Sequence, residues 1–357
     1  MPPGARPGAA EAPREPAQAR SGPIHLDPFR GDDTIMRCIP LLIALLSPIA
    51  AGAQAIEWPG AKSIVYIVPF TAGGTTDTIG RTLAHKLGES LRQTVVIENR
   101  PGQAGGIGAA YVARAAADGY TLFGGTISTH AINASLYKKL PYDPMKDFEP
   151  VALVGRLPNV LLVNSQLGLN SVADLVALLK KDESKRSFAS SGAGASSHLA
   201  GEMFANFVGV KLTHIPYKGS PPALNDVAAG RVPMMFDQVT AALPLVRSGK
   251  LKLLAVTTGQ RIALLPELPT MIESGVTGFE MSSWQAVYAP KGTPEAIVQR
   301  LNAEIVKALQ QPDVQAKFSN QLAMEIVGST PQELREYMAK EIPRWAELVQ
   351  KSGAMAD

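Results

Sequence analysis

Apolar residues in this chain switch repeatedly between two spacings. Ile64-Val65-Tyr66-Ile67-Val68 is a β-branched run with strand propensity. Pro69 and the pair Gly73-Gly74 break it. Beyond Asp77 the spacing becomes Ile79, Leu83 and Leu87, one stripe of a helix. The first unit is therefore strand, Gly-rich loop, helix, with the helix starting near Thr76-Asp77, where both side chains are natural N-caps. The design recurs. Strands are predicted over 94–97 and 120–124, and the second ends in the polar loop Gly125-Thr126-Ile127-Ser128-Thr129-His130 before a helix over 131–138. Between them Gly105-Gly106-Ile107-Gly108 leads into a helix that stops at Asp118-Gly119. Alternating β and α units of this length imply a parallel sheet with helices on both faces. Ligands in such sheets collect beyond the carboxyl ends of the strands.

Strands over 151–154 and 160–163, split by 155–159, mark a first crossing between domains. A helix over 172–180 follows, N-capped by Ser171. The strand 187–190 then enters Ser191-Gly192-Ala193-Gly194-Ala195-Ser196-Ser197-His198, and a helix continues through Leu199, Met203, Phe204 and Phe207. This is a second strand, Gly/Ser loop and helix start. Strands over 213–217, 234–236 and 251–256 and a helix over 223–229 fill the same region. The stretch 280–289 reads as the return crossing, and amphipathic helices over 294–310 and 331–350 close the chain. A helix N-terminus carries unpaired N–H groups and about half a positive charge, so both Gly-rich loops are places where one end of a small anion can rest. For the first loop taken alone, an ordinary βα turn explains the residues as well.

Composition narrows the class. The chain has 357 residues, room for about two domains. Charged residues make up 18%, the net charge is +3, and Lys and Arg do not cluster, which argues against a nucleic-acid partner. Residues 1–35 are rich in Pro, Ala, Gly and Arg with no period, a composition that cannot bury enough apolar surface to order itself. Met36-Arg37-Cys38, the apolar run 39–53 and Ala53-Gln54-Ala55 then have the layout of a secretory signal peptide. We expect translation to start at Met36, cleavage to follow Ala55, and 1–35 to be a mis-called extension; a retained membrane anchor is the alternative. The single cysteine, Cys38, lies within that signal. The mature chain would hold none, which removes disulfides, Cys-ligated zinc and a Cys nucleophile together.

Catalytic patterns are absent from the sequence. Ser196-Ser197-His198 juxtaposes a hydroxyl and a base, but neighbours one residue apart do not face each other on a helix, and no G-x-S-x-G elbow surrounds them. No H-E-x-x-H or P-loop occurs, and His25, His85, His130, His198 and His214 have no metal-ligand spacing. We therefore expect neither an enzyme nor a cofactor.

The order of several short motifs resembles a known family. Pro69-Phe70-x-Ala72-Gly73-Gly74-x-x-Asp77 is followed by Glu98-Asn99-Arg100-Pro101-Gly102-x-x-Gly105 and by Leu136-Tyr137-Lys138-Lys139-Leu140-Pro141-Tyr142-Asp143. Ser190-Ser191-Gly192-x-Gly194-x-x-Ser197-His198-Leu199, Pro216-Tyr217-Lys218-Gly219, Met235-Phe236-Asp237 and Ala289-Pro290-x-Gly292-Thr293-Pro294 complete the series. Together, over almost all of 56–357, they resemble the Bug family, the periplasmic solute-binding receptors of tripartite tricarboxylate transporters. The resemblance implies an α/β, bilobed type II periplasmic-binding-protein fold, two doubly wound sheets joined by two crossing segments. Lobe 1 would be 56–156 with 285–357, and lobe 2 would be 157–284. It implies a monomer that captures a small carboxylate in the cleft, with membrane permease subunits as partners, although many relatives lack an adjacent permease. A sensor feeding a membrane signalling protein is the rival, with an exported enzyme acting on small acids behind it.

On that reading the first lobe contributes Phe70 as a wall, the backbone N–H groups of Ala72, Gly73 and Gly74 as carboxylate donors, and the hydroxyls of Thr126 and Ser128, which could equally cap the next helix. Asp77 belongs to the same loop, but an ionised carboxylate only accepts, so capping the helix or holding a water suits it better than touching an anion. The second lobe contributes Ser191, Gly192, Ser196 and Ser197, with Tyr217 at the rim and Asp237 accepting from an amino or hydroxyl group or else serving as a cap or salt-bridge partner. His198 fits a structural role better than a ligand contact. Gln238 stands where the family pattern has Asn. No Arg occurs in these loops, so neutral donors must hold the anion.

Overall fold

The structure is a computed structural model that describes residues 58–352. The expected extension, signal peptide, cleavage site and Cys38 lie outside the described residues. In chain order the elements begin with β1 (Ile64–Val68), α1 (Thr75–Leu91), β2 (Val95–Asn99), α2 (Gly106–Val112), β3 (Thr121–Thr126), α3 (Asn133–Leu136) and β4 (Phe148–Asn164). They continue through α4 (Val172–Lys181), β5 (Ser187–Ser190), α5 (Ser196–Val208), β6 (Thr213–Pro216), α6 (Ser220–Ala228), β7 (Met234–Gln238), α7 (Val239–Arg247) and β8 (Leu251–Val256). The last are β9 (Ser282–Pro290), α8 (Glu295–Leu309), α9 (Pro312–Gln315), β10 (Glu325–Ile326) and α10 (Pro331–Ser352).

The architecture is α/β, with two doubly wound sheets that share β4. The strand order is β2-β1-β3-β9-β4-β7-β5-β6, with β8 and β10 also paired to β4. The outer groups β2-β1-β3 and β7-β5-β6 are parallel. β9 runs antiparallel to both β3 and β4, and β4 is antiparallel to β7. The expectation of parallel pairing therefore holds outside the centre and fails within it, because the two crossing segments are themselves strands.

Strand periodicity builds the layers. Ile64, Tyr66 and Val68 on one face of β1 pack with Ile79, Leu83 and Leu87 of α1 and with Val298, Leu301 and Ile305 of α8. Ile67, on the other face, joins Ala109 and Val112 of α2 and Leu334, Met338 and Trp345 of α10. β7 repeats the arrangement. Met234 and Phe236 pack with Leu199, Met203 and Phe204 of α5, while Met235 faces Ala223, Leu224 and Val227 of α6. With both faces covered, β7 reads as a continuous apolar run until Asp237.

Three local expectations are corrected. The two strands split by 155–159 are one, because Gly155 is not a breaker. A Cβ there would lie 2.4 Å from the Glu325 carbonyl oxygen of β10, so the glycine permits a close strand approach. The helix over 131–138 is a π-turn over Ser128–Ile132 followed by the single turn of α3. α1 begins at Thr75 with Gly74 as its N-cap and no side-chain cap, so neither Thr76 nor Asp77 caps it. The N-cap at Ser171 is as expected, its hydroxyl accepting from the Asp174 N–H.

α10 is fastened to β9 through one carboxylate. Glu341 Oε2 accepts from Trp284 Nε1 at 3.1 Å and from Trp345 Nε1 at 2.8 Å, and its Oε1 pairs with Arg344 at 3.0 Å. Both indoles are buried, so removing the acceptor strands two donors. Glu341→Leu is expected to lose about 2–4 kcal/mol of unfolding free energy in urea titration, and Glu341→Gln clearly less; equal stability of Glu341→Leu and the parent would contradict this role.

Candidate functional site

The carboxyl ends of β1, β3, β5 and β7 point toward one cavity, as the parallel groups require. Its lining is Phe70, Gly74, Thr75, Thr76, Thr126, Ser128, Ser191, Ser196, Ser220, Asp237, Gln238, Ser283 and Gln285. The cavity volume is about 30 Å³, room for about two waters.

On one side, the β1–α1 loop is held by Asp77. Its carboxylate accepts from the Gly73 N–H at 2.9 Å, from Asn99 Nδ2 at 2.9 Å and from Arg81 Nε at 2.8 Å. Asn99 Nδ2 also donates to the Phe70 carbonyl at 3.0 Å. Burial works against the charge on Asp77, but the hydrogen bonds from Arg81, Gly73 and Asn99 outweigh it and hold its pKa below the usual carboxylate range. Gly73 has φ 83°, a conformation that favours glycine. The result is a rigid turn that delivers Gly74, Thr75 and Thr76, the N-cap and first two residues of α1, to the cavity wall.

On the other side, the β5–α5 loop is held by its own hydroxyls. Ser197 Oγ accepts from the Ser191 N–H at 2.9 Å and lies 2.9 Å from Ser191 Oγ. His198 Nδ1 accepts from the Gly194 N–H at 3.2 Å, while Nε2 faces Glu202 at 3.5 Å. His198 stacks on His214, whose Nε2 lies 2.6 Å from Ser190 Oγ. Burial and the neighbouring His198 push the pKa of His214 down to about 3, so it is neutral. These histidines brace the loop from behind and do not line the cavity.

The two sides meet. A Cβ on Gly219, at the start of α6, would lie 2.1 Å from Thr71 Oγ1, so the turn before α6 is pressed against the β1–α1 loop. Gln285 Nε2 of β9 donates to Thr76 Oγ1 at 3.1 Å, and Gln238 Nε2 of β7 donates to Ser283 Oγ at 3.1 Å. Tyr137 donates to the Ala193 carbonyl at 2.6 Å.

Asp237 has the most unusual setting. Its Oδ1 accepts from Ser220 Oγ at 2.9 Å, whereas Oδ2 is buried without a partner. Burial pushes its pKa up to about 7, against the hydrogen bonds from Ser220 and the Gln238 backbone, which favour the charged form. Thr75 Oγ1 is likewise buried and unpartnered. No Lys, Arg or His occurs among the lining residues, and no cluster of metal-ligating side chains occurs among the described residues.

Of the residues expected from sequence, Phe70, Gly74, Thr126, Ser128, Ser191, Ser196 and Asp237 share this cavity. The others stand apart. Ala72 and Gly73 are exposed, and the Gly73 N–H is committed to Asp77, while Thr75 and Thr76 of the same helix start line the cavity. Asp77 and Ser197 shape their loops. Gly192 and Tyr217 border an adjoining cavity that also reaches Phe70 and Ser191, and Tyr217 donates to Asp226 at 2.6 Å. Sequence reasoning missed Thr75, Thr76, Ser220, Ser283 and Gln285, and noted Gln238 only as a departure from pattern. Ser283 and Gln285 carried a signal: two polar residues at alternate positions of an otherwise apolar strand share one face.

Asp77→Ala is expected to lower stability by about 1–3 kcal/mol near pH 7 through the loss of three hydrogen bonds that fix the loop. Because the folded-state pKa of Asp77 is depressed, that advantage is present above the unfolded carboxylate range and fades as pH falls through the folded value. Chemical denaturation from pH 7 to pH 3 should show the two proteins converging; a gap that widens in acid would refute the assignment.

Comparison with known proteins agrees with the geometry. The family model described as "Tripartite tricarboxylate transporter family receptor" matches residues 79–354. The structure of Rpa4515 from R. palustris with adipate is 40% identical, covers 84% of this chain and 99% of that one, and superimposes with a TM-score of 0.81. The periplasmic binding protein BugD is 39% identical with a TM-score of 0.80, covering 83% of this chain and 99% of that one. MatC (Rpa3494) from Rhodopseudomonas palustris with bound malate is 34% identical with a TM-score of 0.77, over 81% and 99% of the two chains. With its α/β fold, its paired Gly-rich loops and a match over most of its length, this chain belongs to the tripartite tricarboxylate transporter receptor family, the Bug family of solute-binding proteins.

Proposed function

We propose that the protein is a periplasmic receptor that captures a small dicarboxylate in the cavity and delivers it to membrane permease subunits. The observation that carries this reading is the cavity itself. Two helix starts, five serines and three threonines, and two amides surround a space without one basic side chain. A carboxylate there is held by backbone N–H and hydroxyl donors, each charge-assisted bond contributing roughly 1.5–3 kcal/mol. Two relatives of similar fold hold adipate and malate, both dicarboxylates.

In this reading the chain works as two lobes, 56–156 with 285–357 and 157–284, hinged on β4 and β9. Gly74, Thr75, Thr76, Thr126 and Ser128 with Phe70 receive one end of the ligand, and Ser191, Ser196, Ser220 and Asp237 the other. The sequence layout 36–55 acts as the export signal, cleaved after Ala55, and the exported chain is a monomer. Capture requires no catalytic set. A sensor that hands the bound state to a signalling protein would use the same cavity.

Thermal-shift measurement with adipate, malate and tricarboxylates is the direct test. A ligand at 100 times its Kd stabilises by about 2.7 kcal/mol, which raises Tm by roughly 4 °C for a chain of about 300 residues. No shift with any mono-, di- or tricarboxylate would sink the reading. Gly74→Val is a sharper probe. Gly74 has φ −81° and a Cβ there meets nothing closer than 3.7 Å, so the backbone accepts a Cβ at a position that lines the cavity. The variant should keep the parental Tm without ligand and lose binding at least 100-fold.

A further inference from the structure

Asp237 is the one ionisable group in the lining, and nothing in the cavity neutralises it. It lines the cavity and is 4% exposed, its Oδ1 is occupied by Ser220, and its Oδ2 is buried without a partner. An ionised, solvent-excluded carboxylate oxygen beside an incoming carboxylate is a like-charge contact, which a site without a cation cannot offset. A proton between the two oxygens turns the repulsion into a strong O–H···O⁻ bond. We infer that Asp237 holds a proton when a plain dicarboxylate is bound, so that the O–H on Oδ2 is one of the ligand's donors and capture takes up a proton from solvent. This rests on the receptor reading above and adds to it a chemical selection. Ligand ends that carry their own donor, an ammonium or a hydroxyl, are met by the ionised Asp237, and ends that carry only carboxylate are met by the protonated one.

Charged groups on the surrounding elements do not supply the missing balance. On α5, His198 and Glu202 face each other. On α6, Asp226 is taken by Tyr217 and Arg231. Arg247 of α7 is exposed, Lys252 of β8 donates to Asn170, and His214 of β6 is engaged by Ser190. On β4, Glu149 pairs with Lys291 and Arg335, and Arg156 pairs with Glu325. Burial already pushes the Asp237 pKa up to about 7 in the empty cavity, and an adjacent anion raises it further.

Adipate is the suitable probe, because its carboxylates are its only polar groups. Isothermal titration of the protein at pH 8 in two buffers of different ionisation enthalpy counts protons directly. The expected result is uptake approaching one proton per adipate, with affinity falling by up to about tenfold per pH unit above the pKa of the free site. Asp237→Asn keeps an acceptor for Ser220 and presents a permanent donor, so it should bind adipate with no proton uptake and with affinity flat from pH 6 to pH 9. Adipate binding by the parent protein with no proton uptake and no pH dependence overturns the inference and leaves the receptor reading intact. Failure of every carboxylate to bind overturns the receptor reading and this inference with it. If the Asn variant does not fold, the proton count on the parent protein still decides.

Discussion

Backbone approach at β4 is the constraint on which the rest depends. This one strand pairs with β7, β8, β9 and β10, and the approach of β10 depends on Gly155, whose missing side chain leaves room for the Glu325 carbonyl. Through β9 it is joined to the sheet of β1–β3, and through β7 to the sheet of β5–β6. The parallel groups keep their strand ends aimed at a common space because the antiparallel centre fixes their relation. A substitution at Gly155 would act on the cavity without touching it, by moving the strands whose ends form the walls.

The cavity solves an electrostatic problem by an indirect route. Many anion sites bring in a guanidinium. In the proposed receptor the donors would be helix starts and hydroxyls, and the guanidinium of Arg81 is engaged by Asp77. The ion pair shapes the loop, and the loop presents the dipole. The charged pair thus lies behind the cavity wall and sets the geometry of the loop. Fixed neutral donors also favour shape over net charge as the basis of selection, since each must be matched in position.

Much of this was legible in the sequence. The change from β-branched runs to helical stripes across Gly73-Gly74 and across Ser191–Ser197 placed both loops, because glycine and serine interrupt a period where no other residue would. Asp77 was recognised as a residue of loop shape from its charge alone, although it acts as an acceptor for Gly73 and Asn99 and not as the helix cap. What stayed hidden depended on contacts between distant segments. Ser283 and Gln285 belong to a strand that sequence alone presents as a connector, and only its pairing between β3 and β4 turns their side chains into a wall. Gly155 looked like a chain break for the same reason: the strand that needs its missing side chain lies far away in sequence. The motif order that resembled the Bug family pointed to the fold but not to which residues of the loop line the cavity, where Gly74, Thr75 and Thr76 stand and the Gly73 N–H is committed to Asp77.

The carboxylate shared by Trp284 and Trp345 has an optical consequence. The chain contains three tryptophans, and two of them hydrogen-bond to one oxygen of Glu341. Trp284 directly follows Ser283, whose side chain is in the cavity wall. Any displacement of β9 when the walls part or close is therefore transmitted within one residue to a buried indole, and from there to a second. Emission from these rings reads the surroundings of β9 without an added label.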